Sequence, residues 1–146
     1  MLYFTRAIQR PKRLIYLSSD MHLRGRPKLE SFKTETRRIT YSDSKLHVLM
    51  LCMAAARRWP EVYANAVDPG WVPTKMGGRG APDDLTKGYE TQVWLAVSDD
   101  EEAKVSGRYF HHRKESRHNP EADDASSQDR FLSLCEEITG ASFPRS

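Results

Sequence analysis

The chain has 146 residues, a net charge of +3 and 38% hydrophobic residues, which suits one domain rather than two. No apolar run approaches the roughly 20 residues of a membrane-spanning helix, and the first residues lack the apolar block of a secretory signal. The weak charge does not indicate a nucleic-acid or membrane partner. The two cysteines, Cys52 and Cys135, argue against a disulfide scaffold or a cysteine zinc site. We therefore expect no metal and a cytoplasmic location.

The first half of the chain predicts a strand, a loop and a long buried helix. Residues 1–10 resemble the end of a helix, and residues 14–17 form a short apolar run typical of a strand buried on both faces. Residues 20–39 are polar and basic, which indicates a loop. Residues 41–59 are apolar on nearly every side of the predicted helix, so we expect this helix to be buried on most sides.

The second half predicts two more strands and two more helices. In chain order these are strand 62–67, a glycine- and proline-rich loop 71–82, a helix from Asp83 or Asp84 to about 97, strand 106–111, a charged flexible segment 113–124, and a final amphipathic helix from Ser126 or Ser127 to Gly140. Strands that alternate with helices are typical of an α/β layer with a parallel sheet.

The segment Tyr41-Ser42-Asp43-Ser44-Lys45 holds the most informative motif. An offset of four residues brings the Tyr41 phenol and the Lys45 ammonium to one face of a helix. A phenol has a pKa of about 10, and a nearby cation lowers that value by favouring the phenolate. Such a pair can exchange a proton with a carbonyl or alcohol oxygen. On its own the motif is common, and an ordinary aromatic beside a solvated lysine is the more frequent explanation.

Two neighbouring segments strengthen the functional interpretation of this pair. The strand before the helix ends in Ser18-Ser19, and the strand after it ends in the segment 68–74, which contains Pro69, Gly70 and Thr74. Ligands of open α/β sheets bind at the carboxyl ends of the strands. We therefore expect a serine, the Tyr/Lys pair and a Pro-Gly turn to meet in one crevice.

Together these segments resemble the short-chain dehydrogenase/reductase family, which shows Ser-Ser, Tyr-x-x-x-Lys and Pro-Gly-x-x-x-Thr in this order. The resemblance covers residues 1–112 and implies the carboxyl half of a Rossmann-type, three-layer domain with a doubly wound parallel sheet. Residues 113–146 would then form a polar segment and a carboxyl-terminal helix. The spacing from Ser19 to His22 is similar to that of the retinol-dehydrogenase-like subgroup.

The resemblance also implies roles for individual residues. Ser19, rather than Ser18, would bind the substrate oxygen of a small carbonyl or alcohol, and Tyr41 would be the general acid or base. Lys45, the third catalytic residue, would lower the pKa of the phenol and bind the nicotinamide ribose hydroxyls. The hydride chemistry would come from NAD or NADP. The implied cofactor-binding residues are Tyr41, Lys45, Pro69, Gly70, Val72 and Thr74.

The sequence departs from the family at the cofactor phosphates. The family's Gly-rich turn (Thr-Gly-x-x-x-Gly-x-Gly) is absent, and residues 77–80 are interpreted as a mobile substrate loop rather than a phosphate cradle. We therefore expect weak cofactor binding by this chain alone. An alternative is a truncated, catalytically inactive remnant without the pyrophosphate site. A sugar-nucleotide epimerase shares Tyr-x-x-x-Lys, but the Pro-Gly-x-x-x-Thr segment and the short carboxyl region argue against it.

The remaining candidates have ordinary interpretations. His22 is expected to be a solvated loop residue, and His111 and His112 to point to opposite faces of a strand as surface histidines. Trp71 and Met76 can line a substrate pocket or contribute to packing. An unpaired strand 14–17 and the helix 41–59 favour self-association, so a homo-oligomer is the expected assembly.

Overall fold

The computed structural model describes residues 10–34 and 38–143, so the helix end predicted within residues 1–10 lies almost wholly outside the described residues. Its strands are β1 (Arg13–Leu17), β2 (Tyr63–Asp68), β3 (Arg108–His111) and β4 (Lys114–Glu115). Its helices are α1 (Ser31–Thr34), α2 (Tyr41–Arg58), α3 (Leu85–Val97) and α4 (Ala125–Thr139), with short 3-10 turns at Asp20–Arg24, Glu101–Ala103 and Pro120–Asp123.

The four strands form one sheet in the order β1-β2-β3-β4. The first three strands are parallel, and β4 returns antiparallel to β3. Tyr16 lies opposite Ala66, which lies opposite Tyr109 on its other side. The predicted α/β class with a parallel sheet is therefore confirmed, and in the described part of the chain β1 lies at one edge of the sheet.

Helices cover both faces of the sheet, as expected for strands joined by helical crossovers. On one face, Tyr16, Ala66 and Tyr109 share a core with α2 and α4. On the other face, Val67 and Phe110 pack with residues of α3 and the loop after it, namely Trp94, Leu95 and Ala103. Alternation of side chains along the strands thus produces the three predicted layers.

Helix α2 is the most buried helix among the described residues. The Thr40 side chain accepts a hydrogen bond from the Asp43 amide, and the Asp43 carboxylate accepts one from the Thr40 amide, which is a capping box. The helix ends before Pro60, which cannot continue it. Its fully buried apolar residues are Leu46, Leu49, Met50, Cys52, Ala54 and Ala55. The prediction that this helix is buried on most sides is confirmed.

The segment 113–124 is not the flexible stretch that its charge predicts. It begins with the short strand β4 and continues into a 3-10 turn in which Ala122 is fully buried. Helix α4 then packs Phe131 and Leu132 into the core beside α2. The charged side chains of this segment point outward, while its few apolar and amide groups contact residues far away in sequence.

None of the helices within the described ranges is both long and apolar enough to cross a membrane.

A buried histidine in α2 should make the fold sensitive to mild acid. His47 is 5% exposed, its Nε2 donates to the Pro27 carbonyl at 2.6 Å, and its ring packs against Phe32 and Phe131. Burial lowers the pKa of His47 below its usual 6.5, although the bond to Pro27 opposes this shift. The unfolded chain therefore takes up a proton below about pH 6.5 that the folded chain does not, so stability is complete above that pH and falls as pH is lowered.

We expect the free energy of unfolding, measured by urea titration, to fall between pH 7.5 and pH 5.5. His47 contributes at most about 1.4 kcal/mol over this window, because pH 5.5 lies one unit below the usual histidine pKa. A His47→Gln variant should lose part of this pH dependence. His118→Gln, which removes the hydrogen bonds between the partly exposed His118 Nε2 and the Asp123 carboxylate, serves as the control. An equal slope in the wild type and in His47→Gln would contradict the assignment.

Candidate active site

The candidate active site lies where β1 and β2 end side by side. The Ser18 amide donates to the Val67 carbonyl at 2.8 Å, which continues the pairing of the two strands by one residue. Lys45 reaches this edge from α2, with its Nζ 3.3 Å from the Leu17 carbonyl oxygen. The parallel strands therefore bring the ends of both predicted motif segments to one edge of the sheet.

Tyr41 and Lys45 lie next to each other on the first turns of α2. The Lys45 Nζ is 5.4 Å from the centroid of the Tyr41 ring, within the range of a cation–π contact. The Tyr41 side chain is 51% exposed, so its hydroxyl is open to a ligand. This is the arrangement that a four-residue offset on a helix predicts, because residues i and i+4 share one face.

The two serines after β1 differ in what they contact. Ser18 is buried and its hydroxyl donates to the Lys45 carbonyl at 3.0 Å. Ser19 is half-buried; its hydroxyl lies 3.2 Å from a carboxylate oxygen of Asp20 and accepts from the Met21 amide. Among the hydrogen bonds of the described residues, none joins either serine to Tyr41. Ser18 therefore fastens the strand to α2, and Ser19 is the serine whose hydroxyl can turn toward a ligand.

Asp43, inside the Tyr-x-x-x-Lys motif, has a role that the sequence analysis missed. Its buried carboxylate accepts hydrogen bonds from Lys28 Nζ at 2.7 Å and from the Arg26 and Thr40 amides at 2.8 Å each. Burial by itself would raise the pKa of this carboxyl, but the hydrogen bonds from Lys28, Thr40 and Arg26 hold it well below its usual range. Asp43 thus ties the loop before α2 to the turn that begins with Tyr41.

Gly25 lets the loop formed by residues 19–25, called the serine loop here, approach α2 closely. A Cβ atom at this position would lie 2.5 Å from the Ser42 carbonyl oxygen and 2.9 Å from the Leu46 Cβ. Backbone contact at such a distance excludes any side chain, so only glycine permits it. The loop from Ser19 to Gly25 therefore lies directly against the first turns of α2.

The segment after β2 is shaped by two aspartates. The Gly70 amide donates to the Asp68 carboxylate at 2.9 Å, and Gly70 has a φ of +77°, which glycine adopts without strain. The Trp71 amide donates to the Asp83 carboxylate. The turn predicted from Pro69 and Gly70 is therefore held at both ends.

Val72 and Thr74 follow this turn in different surroundings. Val72 packs against Gly88 in α3, where a Cβ atom would lie 2.7 Å from the Val72 side chain. Thr74 is exposed, and its hydroxyl accepts from the Gly77 amide at 3.2 Å while its proton is free to donate elsewhere. Trp71 and Met76, considered above as pocket or packing residues, are 60% and 87% exposed.

Two expectations about histidines are wrong. His22 is not solvated but fully buried, because the loop that contains it is covered by β3 and by the segment around residue 119. The rings of His111 and His112 do not point to opposite faces; they lie 3.8 Å apart because β3 ends at His111 and His112 turns with a φ of +47°. The described part of the chain contains no cluster of three metal-ligating side chains.

The Tyr41 and Lys45 side chains have the chemistry that the nicotinamide-ribose end of a dinucleotide requires. An ammonium and a phenol on one helix face suit ribose hydroxyls, and Thr74 offers a free hydroxyl proton beside a turn with fixed amides. The pyrophosphate end has no counterpart among residues 10–34 and 38–143, where no glycine-rich turn joins a strand directly to a helix N-terminus. The fit therefore extends to one end of the cofactor.

Comparison with curated proteins finds relatives that are named short-chain dehydrogenases. The chain is 37% identical over 150 residues to the short-chain dehydrogenase chry4 of Gibberella zeae, a match that covers 97% of this chain and 57% of that protein. It is 34% identical over 151 residues to the short-chain dehydrogenase chyC of Penicillium rubens, covering 94% of this chain and 56% of that protein. Retinol dehydrogenase 14 of Mus musculus is 29% identical over 89% of this chain and 45% of that enzyme.

Structural comparison gives the same fold. A crystal structure of an uncharacterized protein from Mycobacterium paratuberculosis matches with a TM-score of 0.70 and 24% identity, over 90% of this chain and 52% of that one. No family model matches the sequence.

The chain belongs to the short-chain dehydrogenase/reductase family and corresponds to the carboxyl half of its members. It spans about half the length of the curated relatives it matches.

Proposed function

We propose that the protein is an NAD(P)-dependent oxidoreductase that reduces a carbonyl or oxidises an alcohol on a small molecule. The observation that supports this most strongly is the contact between Lys45 and the exposed Tyr41 at the edge where β1 and β2 end. The relatives named short-chain dehydrogenases support the same assignment.

In this proposal Tyr41 exchanges a proton with the substrate oxygen. Its hydroxyl is exposed, so a substrate can reach it, and the Lys45 ammonium lies over the face of its ring. A phenol placed at this position can donate its proton to the oxygen of a carbonyl that is being reduced, or accept one from an alcohol. Lys45 has a second function as a donor to ribose hydroxyls, since an ammonium carries three donor protons.

Ser19 would donate a hydrogen bond to the substrate oxygen and so orient it toward Tyr41. To do so, its hydroxyl must turn away from the Asp20 carboxylate, a rotation about one side-chain bond. A dinucleotide held by these residues would supply the hydride chemistry. The turn at Pro69 and Gly70, with Val72 and Thr74, would hold the nicotinamide ring through backbone groups and one hydroxyl.

The proposal is tested by adding NADH or NADPH and a panel of aldehydes and ketones to the purified chain and following nicotinamide absorbance. Turnover with either cofactor supports it. A second candidate, an inactive remnant that cannot bind cofactor, is favoured by the missing pyrophosphate turn in the described residues. For a chain shown to be folded by circular dichroism, absence of both turnover and cofactor fluorescence change would identify the remnant.

We also propose that the chain associates with itself through β1 and α2. In the described structure β1 is at the sheet edge and Leu17 is 49% exposed, and such an edge can pair with another strand. A Leu17→Lys variant should weaken association in sedimentation experiments over a range of concentrations. The control Ile138→Lys changes an exposed apolar residue of α4, far from that edge. A wild-type chain that stays monomeric throughout would refute this proposal.

A further inference from the structure

His22 is the most deeply buried polar residue of the loop that begins with Ser19. The residue is fully buried, and its Nδ1 lies 2.5 Å from the Ser19 carbonyl oxygen. A carbonyl oxygen can only accept, so Nδ1 must hold the imidazole proton. Burial lowers the pKa of His22, which favours the neutral ring; in the neutral ring with its proton on Nδ1, Nε2 is unprotonated.

His22 donates two hydrogen bonds to the Ser19 carbonyl oxygen. The His22 backbone amide also donates to the Ser19 carbonyl, at 3.0 Å. These two bonds fix the peptide plane that follows the Ser19 Cα atom. Because the orientation of a side chain depends on the backbone of its own residue, they also fix the direction from which the Ser19 hydroxyl projects.

The imidazole has no freedom to leave this position. Its ring contacts the Tyr109 ring edge-on, with centroids 4.5 Å apart. From the other side, the Asn119 side-chain amide donates to the His22 and Gly25 carbonyls at 3.2 Å each. The Nε2 atom is buried and makes no hydrogen bond to any described residue.

We propose that His22 is a positioning residue for Ser19, acting through the Nδ1 bond to the Ser19 carbonyl. The proposal deepens the proposed function and rests on it, because Ser19 matters for turnover only if the protein is an oxidoreductase. The contrasting explanation is that the imidazole merely fills space in the core beside Tyr109.

Two amide variants separate these explanations. In His22→Asn the side-chain NH₂ falls near the position of Nδ1 and can still donate to the Ser19 carbonyl. In His22→Gln the amide falls nearer the position of Nε2, and the bond to Ser19 is lost. Both variants bury one amide in the same place, so a space-filling role predicts similar behaviour from the two.

We expect His22→Gln to lower kcat on the order of 100-fold, the usual cost of a misplaced catalytic group, with an unchanged KM for the cofactor. His22→Asn should retain at least about a tenth of the wild-type kcat. Equal kcat values for the two variants, or losses that follow their unfolding free energies, would overturn the proposal.

A second measurement does not depend on activity. Long-range ¹H–¹⁵N spectra of the wild type should show His22 protonated at Nδ1 and not at Nε2, and the amide signals of Ser19 and Met21 should move in His22→Gln but not in His22→Asn. A proton on Nε2, or equal shifts in both variants, would refute the positioning role. A chain that passes this test but shows no turnover would refute the oxidoreductase proposal alone.

Discussion

Replacing Tyr41 with phenylalanine should lower turnover by about 10²–10⁴-fold, the range that a positioned general acid contributes. The variant removes one oxygen atom and keeps the ring that faces Lys45, so the helix start should remain intact. Cofactor affinity, measured by nicotinamide fluorescence, should change little. The experiment is a steady-state assay of the wild type and variant with the best substrate of the carbonyl panel.

The matched control is Tyr89→Phe. Tyr89 is 54% exposed, much like Tyr41 at 51%, but it lies on α3 and not beside Lys45. Its loss of a hydroxyl should leave kcat within a factor of about two. If Tyr41→Phe kept more than a tenth of the wild-type rate, Tyr41 would not be the proton donor, and the assignment of this site would fail.

Replacing Asp43 with alanine should have the largest effect on stability, about 2–4 kcal/mol. The change leaves two backbone amides and the Lys28 ammonium without their acceptor and removes the capping box of α2. Unsatisfied buried donors cost about 1–3 kcal/mol, and loss of a cap costs about 1 kcal/mol. Lys28 is partly exposed, so water compensates part of the loss. Urea unfolding monitored by circular dichroism measures the difference.

Asp129→Ala is the appropriate control for this prediction. Asp129 pairs with Arg57 and Arg58 at the other end of α2, but its side chain is 47% exposed. Exposed ion pairs typically contribute less than about 1 kcal/mol, so this variant should be only slightly destabilised. Equal losses for Asp43→Ala and Asp129→Ala would show that burial of the Asp43 carboxylate is not what stabilises the helix start.

Much of the fold could be predicted because its signals are local. The apolar run at residues 14–17 and the helical pattern at 41–59 both differ from the observed elements by a single residue. The segment 113–124 could not be predicted in the same way. Its charged residues point to solvent, while Asn119 anchors it to the His22 and Gly25 carbonyls, 97 and 94 positions away in sequence.

The site shows the same division. The proximity of Tyr41 and Lys45 follows from helix geometry. The position of the Ser-Ser and Pro-Gly segments at neighbouring strand ends follows from the parallel pairing of β1 and β2. The burial of His22 and Asp43 could not be foreseen, because each depends on a loop that folds back over α2 at Gly25. The capping pattern of Thr40 and Asp43 was visible in the sequence and could have suggested a structural role for the carboxylate. The catalytic and cofactor-binding roles assigned to Ser19, Tyr41, Lys45 and the segment 69–74 stay predictions.

The hydrogen bonds from Asn119 to the His22 and Gly25 carbonyls have a consequence for folding during synthesis. Ribosomes add about 5–20 residues per second and release the amino-terminal part first, so Ser19 and Tyr41 emerge well before residue 119 exists. Until residue 119 has been synthesised, the His22 and Gly25 carbonyls lack the side-chain amide that donates to both of them. The nascent chain is therefore expected to expose an incompletely bonded loop at residues 19–25 to proteases and chaperones until residue 119 has been synthesised.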